Sequence, residues 1–131
     1  MASDDILSYE RLLKLARDSA AVTRECNCGI AVCAGWEKVE ISFPEQQMRV
    51  IGTLLNDPYD EPTFAEYHPA GTNYWSADAP IAVRHFPFNR CSIWQCKVCE
   101  RCCLTYTEAG GYYVERRIRS LDPRMIVDVA V

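Results

Sequence analysis

The chain has 131 residues, of which 49% are apolar and 24% charged, with 18 acids against 14 bases for a net charge of −4. That size and mix suit one globular domain, and they exclude a disordered tail, a collagen-like repeat, a coiled coil and an overall basic nucleic-acid footprint. The unusual feature is the cysteine count, eight.

Residues 1–25 predict a helix. Over residues 4–24, Ile6, Tyr9, Leu13, Ala16 and Ala20 recur at three- and four-residue steps, with Leu12 and Leu15 widening the apolar stripe. Ser3 stands where an N-cap would, and Asp4 and Asp5 would occupy the first turn, where the helix dipole favours negative charge. This acidic start lacks the basic segment and apolar run of a secretory signal, which points to the cytoplasm. In a reducing compartment the cysteines serve as metal ligands or buried thiols rather than disulfides. No uninterrupted apolar stretch approaches the roughly 20 residues of a membrane span.

Residues 26–55 hold a cysteine turn and strands. Cys26-Asn27-Cys28-Gly29 and Cys33 sit among turn residues, and alternation of Val39, Ile41 and Phe43 with charged or polar neighbours predicts a strand over 37–43. Met48 to Leu55 predicts a second. Residues 56–80 contain four prolines and five aromatics, which oppose a regular element and predict a long ordered or functional loop. In 81–131, Ile81 to His85 reads as a strand, and Cys102–Glu108 with Tyr112–Leu121 flank Ala109-Gly110-Gly111 as a β-hairpin. A three-residue loop pairs Glu108 with Tyr112 and sets Cys102, Leu104, Tyr106, Val114 and Ile118 on one face; a two-residue loop would shift that register. Met125 to Val129 is a candidate terminal strand. The expected architecture is one α+β domain over 1–131: an N-terminal amphipathic helix on a mainly antiparallel sheet, with a C-terminal hairpin and a metal-knuckle turn.

The strongest local signal is Trp94-Gln95-Cys96-Lys97-Val98-Cys99-Glu100-Arg101. Two cysteines separated by two residues can wrap both sulfurs around one ion, with backbone amides stabilising the thiolates. Residues 94–103 resemble the knuckle of a zinc ribbon or a rubredoxin, and Glu100 stands where such knuckles often carry a left-handed glycine. The resemblance implies a bound metal, zinc first and iron second. The second Cys-x-x-Cys of the usual pattern is missing, and Cys26 and Cys28 are the best candidates to complete the set. In an extended segment, residues i and i+2 point the same way about 6.5–7 Å apart, close enough to share an ion after slight bending. Cys33, Cys91 and Cys102 are substitutes. Cys102 and Cys103 are adjacent, so in a strand at most one of them meets a given ion.

Cys96, Cys99 and Cys102 also open a ferredoxin-like run, but its fourth cysteine position is Tyr106. No His-Glu-x-x-His, deaminase, nucleophile-elbow or phosphate-loop signature occurs. The leading expectation is a small cytoplasmic zinc protein with a structural metal, acting on a partner protein rather than on nucleic acid. Residues 1–66 carry net −6 and residues 67–131 net +2, and Arg116, Arg117 and Arg119 would form the contact strand. The alternatives are an enzyme with an open zinc position and Glu100 or Glu108 as general base, and an iron–sulfur or thiol redox protein.

Overall fold

The computed structural model describes residues 5–57, 59–109, 112 and 114–131. It shows an α+β fold. One α-helix, α1 (Tyr9–Ala20), packs on a five-stranded antiparallel sheet of β1 (Glu37–Lys38), β2 (Met48–Thr53), β4 (Ser92–Cys96), β5 (Cys102–Ala109) and β6 (Val114–Ser120). The strand order is β1-β6-β5-β4-β2. A small parallel pair, β3 (Ile81–Ala82) with β7 (Ile126–Val127), lies apart. Among the described residues no helix is long and apolar enough to cross a membrane.

The helix is shorter than the periodicity predicts and starts five residues later, at Tyr9. Its cap is Ser8, whose hydroxyl accepts from the Arg11 amide at 3.2 Å. The expected cap, Ser3, lies outside the described residues. The chain before Ser8 is extended because it lies along β2: Thr53 N–H donates to Asp5 C=O at 2.8 Å, and Leu7 N–H donates to Thr53 C=O at 2.9 Å. Ile6 is therefore a half-exposed residue beside the sheet edge and not part of the helix stripe. The buried face of α1 is Leu12, Ala16 and Ser19. The Ser19 hydroxyl accepts from the Cys102 amide at 2.8 Å and ties the helix to β5.

Two other strands are cut short for reasons local to each. The 37–43 alternation gives only the two residues of β1, since the chain turns at Glu40–Phe43 to set Phe43 against the Trp94 ring, 6.1 Å away. Ile41 is left fully exposed. The 81–85 run stops at Ala82, whose carbonyl accepts from His85 N–H and closes a turn. Within β2 the register shifts between Val50 and Gly52, a bulge. A side chain at Gly52 would meet Leu7 Cγ at 2.6 Å, so glycine here lets the N-terminal segment close on the sheet.

The hairpin is real but its register differs. Ala109 pairs with Val114 and Glu108 with Glu115, so four residues connect the strands. That is three steps from the expected pairing, an odd number, so every β6 side chain is on the other face. Leu104 and Tyr106 now oppose Arg119 and Arg117, whereas Cys103 and Thr105 oppose Ser120 and Ile118. Val114 and Ile118 do not join the Leu104 face; Val114 is exposed.

The sheet thus separates two cores. One holds Leu12, Ala16, Trp36, Phe88, Ile93, Cys102, Leu104 and Leu121, covered by α1 and by the 56–80 segment. That segment has no strand or helix among its described residues. It is held by Tyr74 stacked on Trp36 at 6.0 Å and by Arg90 donating to the Pro62 and Thr63 carbonyls. The other core gathers Cys28, Ile30, Cys33, Trp94, Cys96, Cys99, Cys103 and Ile118. Cys102 and Cys103 fall into different cores, as strand alternation requires.

Candidate metal centre

The second core contains the cysteine cluster. Cys26, Cys28, Cys96 and Cys99 come together with all four sulfurs within 4.8 Å of one another. Cys26 Sγ lies 3.8 Å from Cys96 Sγ, and Cys28 Sγ lies 3.7 Å from Cys99 Sγ. Four thiolates on a tetrahedral ion with bonds of about 2.3 Å stand about 3.8 Å apart, so this group could hold one metal ion. Cys28, Cys96 and Cys99 are buried and Cys26 is half-buried.

Local backbone geometry explains why these sulfurs converge. Cys96 ends β4 and Cys99 sits in the turn to β5. The turn closes through Glu100 N–H donating to Cys96 C=O at 2.8 Å and Cys96 N–H donating to Arg101 C=O at 2.9 Å. Glu100 takes φ +71°, the left-handed conformation that the knuckle pattern assigns to glycine. On the other side, Gly29 follows Cys28 with φ +75°. The two halves are alike: a cysteine, then a left-handed residue, then an amide aimed back at the sulfur. Ile30 N–H serves Cys28 and Arg101 N–H serves Cys99, while the Val98 and Cys99 amides serve Cys96. Such donors stabilise thiolates and hold a set ready for a cation.

The electrostatics fit that reading. Burial raises Cys28 to about 12, and burial also raises Cys96. Burial alone would raise Cys99 too, but the Arg101 amide and the neighbouring Cys28, Cys96 and Cys26 thiols outweigh it and draw Cys99 down to about 7. Thiols packed this tightly stabilise one anion by donating to it, which is where a cation would act in their place.

Around the cluster, side chains join the two halves. Arg24 donates to the Cys99 carbonyl at 2.8 Å and to the Glu100 carboxylate at 3.0 Å. Lys97 N–H donates to Gln47 C=O at 2.7 Å, and the Gln47 amide donates to Asn27 at 3.4 Å. These contacts join segments about 20 to 75 residues apart and were not legible as a set, since Arg24 and Gln47 carry no metal-ligand signal. The close spacing of Cys26 and Cys28 and the glycine after them were the legible signs of the second knuckle.

The substitute ligands lie elsewhere. Cys33 donates to the Gly29 carbonyl at 3.4 Å, and burial, then Glu37, raises it to about 11. Cys91 donates to the Pro87 carbonyl from within the helix-side core, and burial pushes its thiol well up. Cys102 is in that same core, raised by burial to about 12. These three behave as packing thiols.

The expected arginine contact strand is corrected by the register. Arg117 and Arg119 share the inner face with Leu104 and Tyr106, and they are 9% and 1% exposed. Arg119 donates to the Ala77 and Ala79 carbonyls. Arg117 donates to Glu115 at 2.9 Å and to the Tyr74 and Tyr106 hydroxyls. Only Arg116 of the three lies on the outer face, paired with Glu45 over the Trp94 ring. No family model, curated protein or solved structure matches the chain. Fold and site therefore define it as an α+β protein with a candidate four-cysteine metal centre.

Proposed function

We propose that the protein binds zinc through Cys26, Cys28, Cys96 and Cys99, that this ion is structural, and that the protein acts in the cytoplasm by binding another protein. The observation that carries the metal reading is the convergence of four sulfurs at the spacing one tetrahedral ion needs. Four thiolates fill a tetrahedral shell, whereas a catalytic zinc keeps one position for water, which favours a structural over a catalytic role. Glu100, a candidate general base, is paired with Arg24. A multi-iron cluster places its thiolates on separate irons and so spreads them further than a single ion does, which favours one ion over an iron–sulfur cluster. None of the eight cysteines is paired in a disulfide, which suits a reducing compartment. The partner reading is supported by Tyr59, Phe64 and Trp75, large aromatics left exposed on the 56–80 segment.

Metal analysis of protein purified without a metal-affinity step tests the proposal. One equivalent of zinc per chain in a colourless preparation is the expected result. Less than about a tenth of an equivalent of any transition metal would refute it. Replacing Tyr59, Phe64 and Trp75 by serine should release a co-purifying protein and leave the metal content unchanged.

A further inference from the structure

The four candidate ligands differ in access. Cys28, Cys96 and Cys99 are at most 2% exposed, whereas Cys26 is half-buried and lines a surface pocket of about 600 Å³ with Thr23, Arg24 and Arg101. None of the other three lines that pocket. In a four-thiolate shell the metal keeps every ligand sulfur deprotonated, and the thiolate is the form that oxidants attack. Reaction then follows access, which makes Cys26 the point of entry. The four cysteines outside the cluster compete poorly, because they are buried and have no metal to deprotonate them. Cys33 donates to the Gly29 carbonyl and Cys91 to the Pro87 carbonyl, while Cys102 and Cys103 lie within β5.

The geometry behind Cys26 supplies a second observation. Oxidation of a thiol is reversible where another thiol stands beside it to close a disulfide. Cys96 Sγ is 3.8 Å from Cys26 Sγ, and Cys28 faces Cys99 at 3.7 Å, so Cys96 is the thiol placed to resolve an oxidised Cys26. The two segments are also joined by contacts that need no ion. Arg24 donates to the Cys99 carbonyl and to Glu100, and the Gln47 amide donates to Asn27. Cys26 and Cys96 therefore stay adjacent while the reaction proceeds, and a disulfide between them ties the same two segments that the ion ties.

We infer that Cys26 is an oxidation site at which a hydroperoxide opens the metal centre, with Cys96 as the resolving thiol. The inference rests on the zinc reading above and supplies a regulation of that site. The Cys26 thiolate attacks the peroxide O–O bond; an S–O bond forms and the second oxygen leaves as hydroxide. The Cys96 thiolate then attacks the Cys26 sulfur, the S–O bond breaks, and a second hydroxide leaves. Two thiolates lose one electron each to form the disulfide, one peroxide takes up both electrons, and two protons from solvent turn the hydroxides into water. The disulfide removes two of the four ligands, and the remaining pair no longer completes a tetrahedral shell.

The test uses the full chain as purified, its metal content measured first, with hydrogen peroxide as the probe. About one equivalent of peroxide should release about one equivalent of ion to a metallochromic indicator and lower the thiol count from eight by about two. Peptide mapping should find Cys26 joined to Cys96, and a sulfenic-acid trap added early should label Cys26. Cys26→His keeps four ligands and should release its ion about tenfold or more slowly, whereas Cys28→His, at a buried ligand, should release it at the unaltered rate. If either variant fails to load metal, trapping and mapping on the unaltered chain decide. A chain that carries no metal refutes the zinc reading and this inference with it. Four results overturn the inference and leave the zinc reading standing: a loaded chain that keeps its ion in peroxide, first trapping at another cysteine, a bridge from Cys26 to a cysteine other than Cys96, or undiminished release from Cys26→His.

Discussion

Charge misleads most where a strand has two buried faces. Glu115-Arg116-Arg117-Ile118-Arg119 reads as an exposed contact strand, yet two of its three arginines are interior. Arg119 is buried with its Nε and Nη1 unpartnered among the described residues, and burial lowers it to about 10. Arg117 is held by an acid, two phenols and the rings of Tyr74 and Trp75. Arg117→Glu should therefore cost about 3 kcal/mol, because it sets a second carboxylate against Glu115 and removes the guanidinium that donates to both phenols. Chemical denaturation checks this, and an unchanged midpoint would show that the strand is solvated after all. The cysteines divide by the same logic. Cys96→Ser and Cys99→Ser should lower bound metal and melting temperature together. Cys103→Ser, a buried thiol outside the sulfur cluster, should leave metal content unchanged; equal metal loss in all three would contradict the cluster as the binding site.

At the scale of elements, existence was legible and extent was not. Periodicity found α1, but Ser3, Asp4 and Asp5 imitate a helix start that the pairing of residues 5–7 with Thr53 forbids. The Gly110-Gly111 pair announced the hairpin, but loop length sets register, and composition does not fix loop length. Strand β4 was hidden because Trp94 to Cys96 read as the approach to a knuckle. One contact between elements is open to direct measurement. Ser19→Ala leaves the Cys102 amide without its acceptor where α1 crosses β5, and should cost about 1–3 kcal/mol. Ser8→Ala, at the exposed cap, should cost about 1 kcal/mol and fray only the first turn. Amide exchange distinguishes the two: the first should loosen β5, the second should not.

For the whole molecule, the α+β class and one half of the metal cluster were plain from spacing. The other half was favoured by the close Cys26/Cys28 pair over Cys33, Cys91 and Cys102, and the fold bears it out by bringing the 26–28 turn against the end of β4. The helix-side core contains none of these four ligands. Chelation should therefore raise amide exchange across 24–33 and 95–101 while α1, β5 and the core around Leu104 stay protected. Global unfolding on chelation would show instead that the ion is required for the fold. Acidification should act in the same direction, because ligand thiols must lose protons to bind metal: occupancy is full at high pH and falls as pH drops.

Cys26 and Cys96 are 70 residues apart, and Cys28 and Cys99 are 71 apart. A metal joining them turns the middle of the chain into a ring that includes the whole 56–80 segment. A cross-link closing a loop of this length removes about 4 kcal/mol of chain entropy from the unfolded ensemble, if the link survives unfolding. Much of the ion's stabilisation would then come from what it denies the unfolded chain. Cutting the backbone once within 56–80 opens that ring without touching a ligand. The nicked protein should keep its metal, and its two pieces should separate only when the metal is withdrawn under denaturing conditions.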